Sequence, residues 1–336
     1  MEFKKYSSIE NSYQNDFINS IIEQGFGDLD YVVQEKVHGA NLSFITDGQN
    51  ILSAKRTELI LENEQFFNSR LVQDNYQDKI LALHAAVLKQ FDTKTITIFG
   101  EIFGGGYPHP SIPKDGNAKL VQRGIYYCPT NDFFAFDILL DNEKYLDVET
   151  ASQLFERFDF VYAKPLFKGF LKECLAFSNE FKTTIPSEYS LPQLDGNICE
   201  GIVIRPIQPS YLQTGSRVLI KNKNEKWAEN NNYIDKAILS KLLHEKDLSE
   251  EAGFLCEEVY KLITQNRLTN LISKIGEVNH KKDLGRLLGL YNKDALTDFF
   301  KTYKERYDSL EKHESKAVNK FLNKHAGQLI NDYFDR

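Results

Sequence analysis

Five apolar runs in this chain carry a charged residue at one end, and their order restricts the fold more than any single motif does. Tyr31-Val32-Val33-Gln34 leads into Glu35-Lys36, and Ile98-Phe99-Gly100 ends on Glu101. Phe133-Phe134-Ala135-Phe136 ends on Asp137, Glu200 precedes Gly201-Ile202-Val203-Ile204, and Val218-Leu219-Ile220 leads into Lys221-Asn222-Lys223. β-Branched and aromatic residues dominate these runs, which marks them as strands. One charge at a strand end is ordinarily a solvated rim. Charges recurring in the order Lys36, Arg56, Glu101, Glu200 and Lys221-x-Lys223 line a cleft. Side chains alternate along a strand, so Lys221 and Lys223 share a face.

The same period-2 reading organises the first two-thirds of the chain. Ala40–Ile45 and Ile51–Arg56 flank Asp47-Gly48, which predicts a hairpin with a type I′ turn. Thr95–Phe103, Asp132–Leu140, Cys199–Pro206 and Arg217–Lys223 are predicted strands, with helices over Asp74–Gln90 and Asp147–Phe158. Composition turns polar at Asn224–Tyr233, which reads as the start of a linker over 224–240. Beyond it only helical spacing recurs, at Ser249–Gln265, Leu268–Ile275, Asp294–Tyr307 and Ser315–Tyr333. The expected class is α+β: antiparallel sheets flanked by helices over residues 1–230, then a small all-helical domain over 231–336. At 336 residues there is length for both cores.

Several chemistries are argued against. Cys128, Cys174, Cys199 and Cys256 form no C-x-x-C pair, which speaks against a zinc site or a disulfide framework and for buried thiols. No apolar run reaches bilayer length, and Met1-Glu2-Phe3-Lys4-Lys5 opens no apolar signal core. The chain is therefore expected to be intracellular, neither secreted nor membrane-bound, and a monomer. Net charge is −7, yet from Asn231 onward 18 Lys and Arg face 17 Asp and Glu. Any polynucleotide must therefore be held by a local groove, not by the overall field. There is no G-x-x-x-x-G-K-[ST] loop and no G-x-G-x-x-G after a strand, and Gly104-Gly105-Gly106 reads as a flexible turn. Lys36 is different: Gly39, three residues on, permits a sharp turn and close backbone approach beside it.

Lys36–Asn41, K-V-H-G-A-N, resembles the nucleophile motif of the covalent nucleotidyltransferases, the superfamily of ATP-dependent ligases and capping enzymes. F-G-E at 99–101, F-F-A-F-D at 133–137, E-G-I-V-I-R-P at 200–206 and V-L-I-K-N-K at 218–223 resemble its remaining motifs in order. The whole is similar to the RNA ligase 2 family of phage T4, which includes the trypanosome RNA-editing ligases. Phe3–Asn11 looks like that family's start, and Asn266–Glu277 resembles its C-terminal helical domain. The resemblance is thin over about 142–195 and after Asp294.

The resemblance implies an ATP-grasp-like nucleotidyltransferase domain and three transfers. Lys36 takes AMP from ATP, the AMP passes to a 5′-phosphate end, and a 3′-hydroxyl expels it, sealing nicks in duplex RNA or RNA–DNA hybrids. A lysine attacks as the free amine, which neighbouring cations such as Lys221 and Lys223 favour. The same cations would offset charge developing on phosphate. By resemblance, Phe136 stacks on adenine, Glu101 bonds the ribose, Asn41 and Arg56 contact ribose and phosphate, and Glu35 sits beside the nucleotide. Glu200 and Glu101 would hold Mg²⁺ or Mn²⁺. His38 and Asp137 would serve the later, end-joining steps. Arg267 and Lys274 would contact nucleic-acid phosphates.

Two alternatives stay open. A DNA ligase of this superfamily would normally carry Asp in place of His38 and a β-barrel after the last lysine motif. A catalytically silent nick-binding repair protein needs none of Lys36, Glu200, Lys221 or Lys223.

Overall fold

The computed structural model describes residues 1–227 and 248–335. The chain divides into two compact units, Met1–Lys226 and Trp227–Arg336. The boundary expected at 230/231 and most of the expected linker lie outside the described residues.

Two sheets build the first unit. One runs β1-β11-β10-β2-β9, from strands Glu10–Asn11, Ile220–Lys223, Gly201–Pro206, Tyr31–Glu35 and Pro165–Gly169. The other runs β4-β3-β5-β6-β7, from Ile51–Lys55, Ala40–Thr46, Ile96–Gly104, Asn131–Leu140 and Lys144–Tyr145, with β8 (Val161–Tyr162) beside β6. All pairings are antiparallel except β1 with β11 and β6 with β8. The fold is thus α+β, with antiparallel sheets flanked by helices.

Each sheet buries one face under helices. Leu42, Phe44, Ile98, Phe133 and Ile138 of the second sheet pack with Val72, Ile80 and Leu83 of α2 (Ser69–Leu88) and Leu154 and Phe155 of α3 (Val148–Arg157). Tyr31, Val33, Ile202, Ile204 and Ile220 of the first pack with Ile21 of α1 (Asn15–Glu23) and Leu171 of α4 (Leu171–Leu175). A third cluster joins Tyr6, Phe99, Leu139, Tyr145 and Leu219, so the N-terminal segment seats on both sheets. The remaining helix here, α5 (Ile185–Glu188), is a single turn.

Local chemistry moved several expected boundaries. The Asp47 carboxylate accepts the N–H groups of Gln49 and Asn50, at 3.0 and 2.8 Å, and Thr46 pairs with Ile51. The hairpin therefore turns through four residues, not a two-residue type I′ turn. Asp147 caps α3, accepting from the Thr150 N–H at 2.8 Å, and so stands just outside the helix. Gly104 and Gly105 do not form a flexible turn: both have positive φ, and a Cβ on either would overlap a carbonyl, Thr130 or Lys119. Strand β9 gave no clear signal because it opens on Pro165, which only a sheet edge tolerates, and β9 is that edge.

The second unit is helical throughout its described residues: α6 (Glu250–Lys261), α7 (Gln265–Ile275), α8 (His280–Asp308) and α9 (Lys312–Phe334). Ser249–Gln265 is not one helix, because the Thr264 hydroxyl accepts the Arg267 N–H at 3.2 Å and starts α7. Leu255, Val259, Leu268, Tyr291, Phe299, Val318, Phe321 and Ile330 form its core. No helix among the described residues is long and apolar enough to cross a membrane.

Candidate active site

The loop after β2 is fixed by backbone to both sheets of the first unit. Lys36 N–H donates to the Gly201 carbonyl at 2.9 Å, extending the ladder between β2 and β10 by one step. Gly201 holds φ +145°, and a Cβ there would overlap the Asn222 carbonyl. Gly39 N–H donates to Glu101 Oε2 at 2.8 Å, and a Cβ on Gly39 would overlap the Ile102 carbonyl. The turn expected at His38-Gly39 therefore needs glycine for close approach, as its sequence suggests.

Glu200 is the hub of the charges around this loop. Its carboxylate lies 2.8 Å from Lys36 Nζ, 3.3 Å from Lys223 Nζ and 3.4 Å from His38 Nδ1, and is 1% exposed. Burial pushes its carboxyl up, but Lys36, Lys223 and His38 outweigh burial and hold it well below the usual carboxylate range. The charge nearest Lys36 is thus an anion, with Lys223 beyond it. Lys221 stands opposite Val203 in the same ladder as Lys223.

Glu101 forms the opposite wall. Burial raises its carboxyl and Glu200 adds to the rise, while Lys36 and the Gly39 N–H oppose it. Asn41 lies directly across from Glu101 in the pairing of β3 with β5. Arg56 feels the same pocket: burial pulls its guanidinium down, while Tyr6, Glu101 and Tyr145 favour its charge. Lys36, His38, Asn41, Arg56, Glu101, Glu200 and Lys223 are therefore neighbours, though they come from six separate segments.

Two carboxylates acting on one another beside Lys36, Glu200 buried and Glu101 half-buried, fit a Mg²⁺ or Mn²⁺ ion. Such ions take one or two carboxylates and complete their shell with water and phosphate. Among the described residues no group of three or more His, Cys, Asp or Glu is placed to hold a metal without such help.

Other predicted residues stand elsewhere. The Glu35 carboxylate is taken up by Thr183 and Thr184: it accepts from both hydroxyls and, at 2.8 Å, from the Thr184 N–H. Phe136 packs edge-on to Tyr6, with ring centroids 5.0 Å apart. Asp137 is 0% exposed and makes a second charge cluster with Arg205 at 3.2 Å, Arg217 at 2.6 Å and the Tyr6 hydroxyl at 2.9 Å. Burial raises its carboxyl, but the two arginines prevail and lower it.

Sequence reasoning missed four residues around the lysine loop and three around Asp137. Tyr127 Oη accepts the His38 N–H at 2.8 Å, and Gln122 Nε2 donates to the Gly39 carbonyl at 3.1 Å. Thr183 and Thr184 hold Glu35. All four lie in irregular segments without periodicity to flag them. Arg205 did carry a signal: a charge inside an apolar strand must be paired. Arg217 and Tyr6 are its companions.

Arg267 is corrected from phosphate contact to scaffold. Its side chain is 2% exposed, and it donates to the Leu262 carbonyl at 3.1 Å, to Asp298 at 2.8 Å and to Asp294. Lys274, half-exposed, reaches Asp294 at 3.3 Å. Arg267→Met is expected to lower the stability of the helical unit by about 2 kcal/mol, since one backbone carbonyl and two carboxylates each lose a buried charged donor and keep only weaker ones. Urea unfolding followed by amide exchange over α7 measures it. Unchanged protection together with lost RNA affinity would restore the phosphate role.

Comparison with known proteins identifies the family. The family model described as RNA ligase matches residues 29–223, more than half of the chain, and the model described as T4 RNA ligase 2 C-terminal matches 245–328. RNA-editing ligase 2, mitochondrial, of Trypanosoma brucei brucei is 28% identical over 89% of this chain and 83% of its own length. RNA-editing ligase 1, mitochondrial, of the same organism is 27% identical over 95% and 78%. The solved Naegleria gruberi RNA ligase with PPi shares 16% identity at a TM-score of 0.44, covering 67% of this chain. This chain spans 57% of that structure's length. With its match over residues 29–223, this chain belongs to the RNA ligase family, and its helical unit is of the T4 RNA ligase 2 C-terminal type.

Proposed function

We propose that this RNA ligase joins ends through a lysine–AMP intermediate made from ATP on Lys36. The observation that carries the reading is the position of Lys36: its backbone is fixed to β10, Gly39 of the same loop is fixed to Glu101 of the other sheet, and its amine is held by Glu200 at 2.8 Å. Lys36 must surrender that partner and its proton before its lone pair attacks the α-phosphorus and pyrophosphate leaves. AMP then passes to a 5′-phosphate, and a 3′-hydroxyl displaces it to form the phosphodiester bond.

The remaining residues divide the work. Lys221, Lys223 and Arg56 stabilise charge on the phosphates. Asn41 and Glu101 hold the ribose, and Phe136 stacks on the base, with Glu35 shaping the pocket floor through Thr183 and Thr184. Glu101 and Glu200 would hold Mg²⁺ or Mn²⁺, which would supply Lewis-acid neutralisation of the triphosphate. His38 and Asp137 serve end joining, Asp137 by fixing Arg205 and Arg217 behind the pocket. The unit Met1–Lys226 carries nucleotidyl transfer, and the helical unit holds the nucleic acid. The substrate is a nick in duplex RNA or RNA–DNA hybrid, a choice supported by the C-terminal match and by His38 where DNA ligases place Asp.

Incubation with α-labelled ATP and Mg²⁺ tests the covalent step. The expected result is an acid-labile adduct on the protein, and an unlabelled wild type would sink the reading. Nicked duplexes with ribose or deoxyribose on each side of the break test the substrate. Sealing is expected to require ribonucleotides on the 3′-hydroxyl side. Sealing that is indifferent to them would favour a DNA ligase.

A further inference from the structure

Helix α9 breaks two local rules along its first half, with no structural return. Lys312, Lys316, Lys320 and Lys324 recur at four-residue spacing and all are exposed. Like charges at that spacing are unfavourable in a helix, and cations in the first turns oppose the positive end of the macrodipole. Several basic residues elsewhere in the helical unit are neutralised: Lys261 by Glu258, Lys301 by Asp298, Lys304 by Asp308 and Arg306 by Glu251. Among the described residues no carboxylate pairs with any of the four lysines of α9. Glu314, the sole acidic residue from 312 to 331, is buried and turned inward, accepting the N–H groups of Ser249 at 2.9 Å and Glu311 at 3.2 Å. Residues that break local rules without structural gain are expected at functional surfaces.

We propose that this lysine ladder is the face on which the helical unit takes the phosphate backbone of RNA. The inference rests on the reading of this chain as an RNA-joining enzyme and names the surface that reading leaves open. Four residues of helix rise about 6 Å, so successive ammonium groups are spaced comparably to successive phosphates along one strand. Lysines serve as point charges on flexible stems and contact a backbone without reading bases. Between Lys316 and Lys320 lies a recess of about 280 Å³, lined also by Leu248, His313 and Ala317, which gives the strand a concave seat. The ladder supplies a local field that the chain's net charge of −7 does not.

The test measures affinity for a fluorescent nicked RNA duplex without ATP, over 50 to 300 mM salt, in full-length chains. Replacing Lys312, Lys316, Lys320 and Lys324 together by Gln keeps helix propensity and removes the charge. It is expected to weaken binding at least about tenfold at 0.1 M salt and to flatten the log–log salt slope by about 3. Lys320→Ala alone should flatten it by about 1. A control with the paired Lys261, Lys301 and Lys304 replaced by Gln is expected to bind within about twofold of wild type. Unchanged affinity and slope in the ladder variants would overturn the proposal and favour an acidic protein as the partner of this face. An equal loss in the control would overturn it too, as a general charge effect. Because binding is read without ATP, a wild type that takes no AMP yet loses RNA with the ladder would overturn the enzymatic reading alone and support this one.

Discussion

Lys36→Ala is expected to carry no acid-labile label from α-labelled ATP, against a fully labelled wild type. The loss should be complete, because no second amine can take over. Lys223 reaches the same carboxylate from its other side, at 3.3 Å, and is held by β11 rather than by the loop that Gly39 brings against Glu101. Lys36→Arg should fail equally, since a guanidinium keeps its proton in any protein environment and offers no lone pair. A strand supplied already adenylated at its 5′ end bypasses the lysine–AMP bond. Lys36→Ala is therefore expected to retain sealing of that strand. Label persisting on the alanine variant would move the nucleophile elsewhere, and failure of the bypass would give Lys36 a second task in bond formation.

The second large effect concerns Asp137. Its carboxylate is fully buried between Arg205 and Arg217, both nearly buried, and it links β6 of one sheet to β10 and the approach to β11 of the other. Asp137→Ala leaves two guanidinium groups without their anion, a loss of about 3–5 kcal/mol. Thermal and urea unfolding would register it as a large fall in midpoint. The Asp137→Ala, Arg205→Met pair should recover part of the loss, because coupled partners are not additive. The pH dependence has a definite sign. Asp137 has a lowered folded-state pKa, so its contribution is present above the ordinary carboxylate range near pH 4. It drains away as pH falls through that range toward the lower folded value. An Asp137→Asn chain that melts like wild type yet seals no ends would reverse this assignment and make the carboxylate a chemical participant.

These two residues also show what a sequence reveals of such a site. Both were legible because each ends an apolar, β-branched or aromatic run, where alternation fixes the face and a charge stands out. Glu101, Glu200 and Lys223 were legible for the same reason, and Gly39 as the glycine of a sharp turn; the need for glycine at 201 was not. Their partners were not. Tyr127, Gln122, Thr183 and Thr184 reach the loop from segments with no period, and only the folded chain brings them near. Arg267 misled for a different reason: a basic residue on an amphipathic helix looks solvated until its acidic neighbours on the next helix, 27 and 31 residues along, are seen. The Asp47-Gly48 turn shows the limit of dipeptide signals, since the Asp47 side chain chose a longer loop than the pair alone suggests.

Strand β1 pairs in parallel with β11, so Glu10 meets Ile220 across more than two hundred residues of intervening chain. During synthesis Glu10 emerges long before Ile220 and has no strand partner until Ile220 has been made. Strand β1 is therefore made long before the strand it pairs with, like a clasp sewn on before the garment it closes. Contacts of such long separation are slow to form. Until they do, the Asp137 cluster lacks the Tyr6 hydroxyl, and β11, which carries Lys221 and Lys223, remains an open edge. A nascent chain thus cannot pair β1 until the strand that carries Lys221 and Lys223 has been translated.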